Sequence, residues 1–102
     1  MSLVSIGGEL DFLPGKAHFV AVNGYKIVVT RFGNDFFAVD DTCTHEEESL
    51  SEGVLEDCVI ECPRHGAKFD VRTGEVMALP AVMPLKTYKV VYEGDEVKVE
   101  LP

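Results

Sequence analysis

The sequence predicts an all-β fold, an antiparallel sandwich or barrel, on three observations. Runs of β-branched and aromatic residues recur about every 8 to 12 positions with turn residues between them, and no helical periodicity is sustained. The chain has 102 residues, of which 46% are hydrophobic, with no internal repeat and no low-complexity linker. This size and composition favour one domain spanning residues 1–102 around a single modest core.

The first half of the chain contains a hairpin signal followed by a third strand. Segments Ala17–Val22 and Tyr25–Thr30 flank Asn23-Gly24, and these two residue types tolerate the positive φ of a type I′ turn. Phe36–Val39 follows a turn at Gly33-Asn34-Asp35. We expect these three strands to be consecutive neighbours in one sheet.

Further strands are expected in the second half. Val54-Leu55 and Cys58–Glu61 form a short hairpin, and an exit hairpin follows, with strands at Phe69–Val71 and Glu75-Val76 and its turn at Thr73-Gly74. Tyr88, Val90 and Tyr92 are separated by Lys89 and Val91. After a turn at Glu93-Gly94-Asp95, apolar and charged residues alternate along Val97–Leu101. This alternation indicates strands with one buried and one exposed face.

Charge and composition exclude several classes of function. The net charge is −9 and the pI is about 4.6, so phosphate backbones would be repelled and nucleic-acid binding is not expected. The first residues lack a basic targeting region, and no apolar run approaches the roughly 20 residues that span a bilayer. An odd number of cysteines, three, argues against a disulfide framework. These features favour a cytoplasmic protein without a membrane anchor, whose partners have basic surfaces.

Two cysteine–histidine pairs carry most of the chemical information. Cys43-Thr44-His45 and Cys62-Pro63-Arg64-His65 are separated by residues 46–61. Each pair is short enough to lie on one loop at a strand end, so two loops could close around one metal centre.

Pairs in this order and with this gap resemble the binding motif of Rieske-type iron–sulfur proteins. Through Ser49–Gly53 and Ile60–Gly74, and over nearly the whole chain, the sequence resembles the soluble ferredoxins of bacterial aromatic-ring dioxygenase systems. This resemblance implies a Rieske-type antiparallel β-sandwich or barrel with a cluster-binding subdomain at about residues 41–84.

The resemblance also implies how one [2Fe–2S] cluster would be held. Cys43 and Cys62 would bind the inner iron, and His45 and His65 the outer iron at the tip of the protein. Two thiolates cancel the charge of +2 on an oxidised cluster, whereas four would leave −2. Neutral histidine ligands therefore make the cluster easier to reduce.

Several neighbours of the ligand pairs have two possible roles. The segment Leu79–Pro84 falls where the family has a proline-containing covering loop, with Pro80 as the expected covering residue. Gly66 either permits close approach of the backbone to the cluster or is an ordinary turn glycine. Glu46-Glu47-Glu48 is either a docking face or a solvated charge run.

Four positions separate this chain from the respiratory Rieske proteins. Glu48 and Arg64 stand where those proteins have a pair of disulfide-linked cysteines. Ala67 and Phe69 stand where they have a Ser and a Tyr that donate hydrogen bonds to sulfur. Such donors stabilise the reduced state, so their absence predicts a midpoint potential near the lower end of the Rieske range, at about −150 mV.

The function implied is that of a one-electron carrier, and not of an enzyme. It would take electrons from a flavin-dependent NAD(P)H ferredoxin reductase and pass them to a terminal oxygenase, as a monomer that exposes its tip to each partner in turn. Two alternatives remain open at this point. Cys₂His₂ is also a tetrahedral zinc set, typical of structural interaction modules. The other alternative is a Rieske-type small component of an enzyme such as nitrite reductase, although those components often lack the cluster ligands and all four are present here.

The remaining cysteine and histidine are interpreted as structural. Cys58 has no histidine at the motif spacing and is expected at a strand position as a small buried hydrophobe. His18 has no neighbouring cysteine and lies in a strand. Neither is predicted to be a ligand.

Overall fold

The computed structural model describes residues 2–42, 49–63, 66–79 and 83–102. Within these ranges the secondary structure is β-strand and two short 3-10 turns, without an α-helix, which confirms the all-β prediction. The strands are β1 Ser2–Gly8, β2 Ala17–Val22, β3 Tyr25–Phe32, β4 Asp35–Asp40, β5 Val54–Glu56, β6 Val59–Glu61, β7 Lys68–Asp70, β8 Val76–Ala78, β9 Thr87–Tyr88, β10 Val90–Glu93 and β11 Glu96–Leu101. No helix in the described ranges is long and apolar enough to cross a membrane.

The strands form three antiparallel sheets. The first has the order β1-β11-β10, the second β2-β3-β4-β9 and the third β5-β6-β7-β8. The second sheet lies between the other two, because alternate residues of its central strands face opposite cores. Val28 and Val39 belong to one buried cluster, whereas Ile27, Val29 and Ala38 belong to the other.

Two cores result from this layering. The first core lies between the second and third sheets and contains Val28, Val39, Leu50, Ile60, Cys62, Ala67, Phe69, Val71 and Leu85. The second core lies between the first and second sheets and contains Phe12, Ile27, Val29, Phe36, Ala38, Tyr88, Val97, Val99 and Leu101. The chain length predicts a single core. The structure has two, because the second sheet is covered on one face by the first sheet and on the other by the third.

The predicted hairpin at Asn23-Gly24 is confirmed. Both residues have positive φ, 48° and 83°, as a type I′ turn requires, and β2 pairs with β3 from Val22–Tyr25 outward. The next turn is tighter than expected, because Phe32 pairs directly with Asp35 and leaves only Gly33-Asn34 in the loop. The predicted strand ending at Thr30 therefore continues for two more residues.

Two expectations about strands were wrong or incomplete. Cys58 lies in the turn after Asp57, whose φ is 52°, and β6 begins only at Val59. The strand β1 was not predicted. It pairs with β11, which lies at the other end of the chain. Its register shifts between Ser5 and Gly7, so the alternation of inward and outward side chains does not continue from one end of the strand to the other.

Candidate metal centre

Three chain segments that carry the predicted site start from the same core. Leu50 follows the first cysteine–histidine pair, Cys62 begins the second, and Leu85 follows the proline-containing segment. All three side chains are buried in the first core. The three segments are thus anchored in one core, between the second and third sheets.

The first segment leaves the second sheet and returns close to its point of departure. Thr42 and Ser49 form an isolated antiparallel bridge, and the backbone N–H of Leu50 donates to the carbonyl of Asp41 over 2.7 Å. Asp40, the residue before Asp41, accepts a hydrogen bond from the Tyr88 hydroxyl over 2.5 Å, and this bond joins β9 to the end of β4. Burial, reinforced by this hydrogen bond, raises the pKa of Tyr88 well above its usual value.

The second segment is closed by its own backbone. The N–H of Cys62 donates to the carbonyl of Ala67 over 2.7 Å, and the N–H of Gly66 donates back to the carbonyl of Cys62 over 3.3 Å. Gly66 has a φ of +75°, and among the described residues only the end of the Glu61 side chain comes within 4 Å of where its Cβ would lie. The positive φ, and not lack of space, is what requires glycine there.

Gly53 brings the first two segments together. A Cβ at this position would lie 1.9 Å from the carbonyl oxygen of Glu61, the residue immediately before Cys62. Its φ is −84°, so a left-handed turn conformation does not explain the glycine. Glycine is required here because it permits a close backbone contact at the base of the site.

Gly74 has the corresponding role for the third segment. Its carbonyl accepts the backbone N–H of Leu85 over 2.8 Å, and a Cβ on Gly74 would lie 2.2 Å from the Leu85 carbonyl oxygen. With a φ of +79° it is also the turn residue that was predicted. Leu79 and Met83, on either side of the undescribed residues 80–82, are 77% and 62% exposed.

An ion pair fixes the exit from the second segment. Arg72 donates to both carboxylate oxygens of Asp70, with Nε–Oδ1 at 3.1 Å and Nη2–Oδ2 at 2.9 Å. The hydrogen bonds from Arg72 hold the pKa of Asp70 below its usual value.

Of the four predicted ligands, the structure describes Cys62, which is 1% exposed. Cys43, His45 and His65 lie outside the described residues, as do Glu46-Glu47-Glu48, Arg64 and Pro80. Cys58 is half-buried in the β5–β6 turn and packs against the first core from its edge. His18 is a structural residue, because its Nε2 accepts the Leu13 N–H over 2.9 Å and its ring meets the edge of Phe12.

The surroundings of Cys62 suit a metal-bound thiolate. Its immediate core neighbours are apolar, and they include the two positions singled out above, Ala67 and Phe69, both fully buried. An anionic sulfur is costly in such an environment unless a cation accompanies it, and a bound metal ion deprotonates a coordinating thiol. A cysteine in this position therefore fits an iron–sulfur cluster.

Comparisons with known proteins agree with this geometry. Residues 2–89 match the family model of the Rieske [2Fe-2S] domain. The chain is 48% identical over 101 residues to the ferredoxin component of biphenyl 2,3-dioxygenase from Rhodococcus jostii strain RHA1, covering 99% of this chain and 94% of that protein.

Solved structures show the same fold over almost the whole chain. The ferredoxin of carbazole 1,9a-dioxygenase from Nocardioides aromaticivorans IC177 superposes with a TM-score of 0.92 at 37% identity, covering 97% of each chain. A chain in the complex of reduced oxygenase and oxidised ferredoxin of carbazole 1,9a-dioxygenase superposes with a TM-score of 0.89 at 40% identity, covering 95% of this chain and 91% of that one.

The family match decides between the alternatives that a Cys₂His₂ donor set leaves open, in favour of an iron–sulfur cluster over a structural zinc ion. Relatives that match nearly the whole chain are electron-transfer ferredoxins. The chain belongs to the Rieske [2Fe-2S] domain family, carries one Rieske-type cluster and is an electron-carrying ferredoxin.

Proposed function

We propose that this ferredoxin carries single electrons from a flavin-dependent NAD(P)H reductase to a terminal oxygenase, with Cys43, His45, Cys62 and His65 holding its cluster. The common anchoring of three segments in the first core carries the proposal. In this assignment Cys43 and Cys62 would bind the inner iron, and His45 and His65 would bind the outer iron. The burial of Cys62 supports the inner position for the thiolates.

The whole chain is proposed to form a single Rieske domain, residues 1–102, with the cluster-binding subdomain at about 41–84. The four-stranded sheet β5-β6-β7-β8 lies within that range, and its buried face forms one side of the first core. This arrangement supports a subdomain that packs on the second sheet and shares a core with it.

The chemistry follows from what the chain places around the site. The bound cluster supplies one reversible electron. Ala67 lies opposite Cys62, and Ile60 and Phe69 follow on the same buried face, so apolar side chains exclude water from that side of the thiol. Backbone hydrogen bonds hold the second segment in place. Loops held by rigid strands change little in shape when the charge of the cluster changes, and this favours fast electron transfer. Exposed Leu79 and Met83 would add apolar contact area for a docked partner.

The partners are inferred from the relatives and from charge. The relatives are components of biphenyl and carbazole dioxygenases, and one related structure is a complex with the oxygenase. A net charge of −9 favours partners with basic docking surfaces, and Glu46-Glu47-Glu48 is the proposed acidic contribution beside His45. We place the protein in the cytoplasm as a monomer, in keeping with its three cysteines and its need to meet two partners in turn.

Electron paramagnetic resonance of the dithionite-reduced protein, with iron and sulfide analysis, tests the proposed function. Mixed cysteine and histidine ligation should give an average g below that of an all-cysteine [2Fe–2S] cluster. Reduction by a flavoprotein reductase should be slower at high salt, and slower at low salt when Glu46, Glu47 and Glu48 are replaced by lysine. A sample containing zinc without a reduced-state signal would contradict the proposal.

The midpoint potential is expected near the lower end of the Rieske range, at about −150 mV. The side chains of Ala67 and Phe69 provide no hydroxyl donor at the two positions where one would stabilise the reduced state. Replacing Phe69 by tyrosine should raise the potential by about 60 mV, the equivalent of a tenfold change for one electron. Protein-film voltammetry measures both values.

Phe36→Tyr is the matched control for this substitution. Phe36 belongs to the second core, whereas Cys62 belongs to the first, so the added hydroxyl should leave the potential unchanged. A native midpoint above about +100 mV would contradict the argument from missing donors. Equal shifts in the two variants would contradict it as well.

A further inference from the structure

Asp41 is a buried carboxylate that holds both ends of the first site segment. It is only 4% exposed, and each of its oxygens accepts a hydrogen bond. Oδ2 accepts from the Ser49 hydroxyl over 2.7 Å, and Oδ1 accepts from the backbone N–H of Ser51 over 3.0 Å. Ser49 and Ser51 also share a hydrogen bond between their hydroxyls, at 2.7 Å.

The backbone of Asp41 is fixed at the same time. Its N–H donates to the carbonyl of Lys26 over 3.0 Å, and its carbonyl accepts the N–H of Leu50 over 2.7 Å. The residue is therefore attached to the second sheet on one side and to the returning chain on the other. The residue at the start of the 3-10 turn Leu50–Glu52, Ser49, makes no side-chain capping hydrogen bond. The Asp41 carboxylate takes that place by accepting the backbone N–H of Ser51.

The second segment is closed differently. Backbone hydrogen bonds between Cys62 and the pair Gly66 and Ala67 close it, and the pairing of β6 with β7 continues directly from them. The first segment departs from β4 and returns to a 3-10 turn, which offers no continuing ladder. Strand pairing therefore does not extend the Thr42–Ser49 bridge and the Leu50–Asp41 backbone hydrogen bond, and the Asp41 side chain adds further hydrogen bonds that hold this segment closed.

We propose that Asp41 is a positioning residue for the metal centre, with Ser49 and Ser51 as its partners. The inference rests on the proposed function, because Cys43 and His45 lie in the segment that Asp41 closes. By fixing where that segment leaves and returns, the carboxylate determines how closely its two ligands are held to those of the second segment. Hydrogen bonds to a buried charged acceptor are among the stronger ones in proteins, so the closure depends on it.

The rate of cluster release tests this role in the intact holoprotein. Bleaching of the visible absorbance in excess iron chelator gives that rate, and we expect Asp41→Ala to accelerate it about tenfold or more, since it removes two hydrogen bonds to a charged group. Ser49→Ala removes only one of them and should give a smaller acceleration, as should the conservative Asp41→Asn. The reduced-state spectrum of Asp41→Ala should broaden as the ligand geometry becomes heterogeneous.

Two controls separate positioning from charge and from general stability. Asp40→Asn removes the same charge one residue earlier, where the carboxylate accepts from Tyr88, whereas Ser49 and Ser51 donate to Asp41. Val99→Ala weakens the second core, so it should lower the unfolding temperature without accelerating release at moderate temperature. Neither control should reproduce the effect of Asp41→Ala.

Hydrogen exchange in the native holoprotein provides a measurement independent of any variant. The amides of Leu50 and Ser51 both donate to Asp41 and should be protected, whereas exchange as fast as in an open loop would overturn the inference. Unaltered release in Asp41→Ala, with a normal Rieske spectrum in the native protein, would overturn it while leaving the proposed function intact. A native protein without that spectrum would overturn the proposed function and this inference together.

Discussion

Replacing Cys62 by serine should abolish the metal centre. A serine hydroxyl does not ionise at neutral pH as a cysteine thiol can. Of the four proposed ligands, Cys62 is the one that the structure describes, and it is buried in the core that anchors all three site segments. Changes to groups that only support a ligand already cost about 10- to 100-fold in metal affinity, so loss of a ligand should leave no measurable cluster. Iron and sulfide content, visible absorbance and the reduced-state resonance signal should all be lost together.

Cys58→Ser is the matched control for this experiment. The substitution again replaces a sulfur atom by oxygen, but Cys58 is half-buried in the β5–β6 turn and packs against the edge of the first core. The variant should keep its cluster and its potential, with a stability change within about 1 kcal/mol. Cluster loss in both variants, or in neither, would contradict the assignment of Cys62 as a ligand.

Replacing Gly53 by alanine should strongly destabilise the protein and release the cluster. The added Cβ would lie 1.9 Å from the Glu61 carbonyl oxygen, so either the 3-10 turn after the first segment or the end of β6 must shift. A clash with backbone is not relieved by rotating a side chain, and the expected cost is about 3 kcal/mol. At about 4–8 °C per kcal/mol for a domain of this size, the unfolding temperature should fall by more than about 10 °C.

Gly8→Ala controls for the loss of glycine itself. Gly8 also has a negative φ, −97°, and a Cβ there would lie 3.4 Å from the nearest atom, the Asp95 carbonyl oxygen. Calorimetry of the two holoproteins, with iron content measured on the same samples, gives both quantities. A Gly53→Ala protein as stable as Gly8→Ala would contradict the close contact between the first and second segments.

The sequence predicted local features well where neighbouring residues determine them. Asn23 and Gly24 form the expected turn because both tolerate positive φ, and the strands on either side follow from it. The all-β class and the Rieske family are confirmed as well. Each of these depends on residue types within a short window or on a fixed spacing between cysteine and histidine.

Predictions failed where a distant partner decides the structure. The strand β1 forms by pairing with β11 at the other end of the chain, and its bulge disturbs the alternation that would have indicated it. The start of β6 is a local exception, because the positive φ of Asp57 leaves Cys58 in the turn and the strand begins one residue later than predicted. The division into two cores was missed because β3 is buried on both faces, which removes the alternation of a strand with one exposed side.

The sequence by itself determined the family, the cofactor and which four residues are the proposed ligands, because the chemistry of the donor atoms and their spacing are properties of the chain. Only the tertiary structure decided how the site is supported. The close contact at Gly53 and the hydrogen bonds of Asp41 join residues whose proximity no local pattern encodes. Both depend on the exact path of the backbone around the site. Gly53 meets Glu61 where β5 pairs with β6, and Asp41 meets Ser49 and Ser51 where the chain returns to the first core.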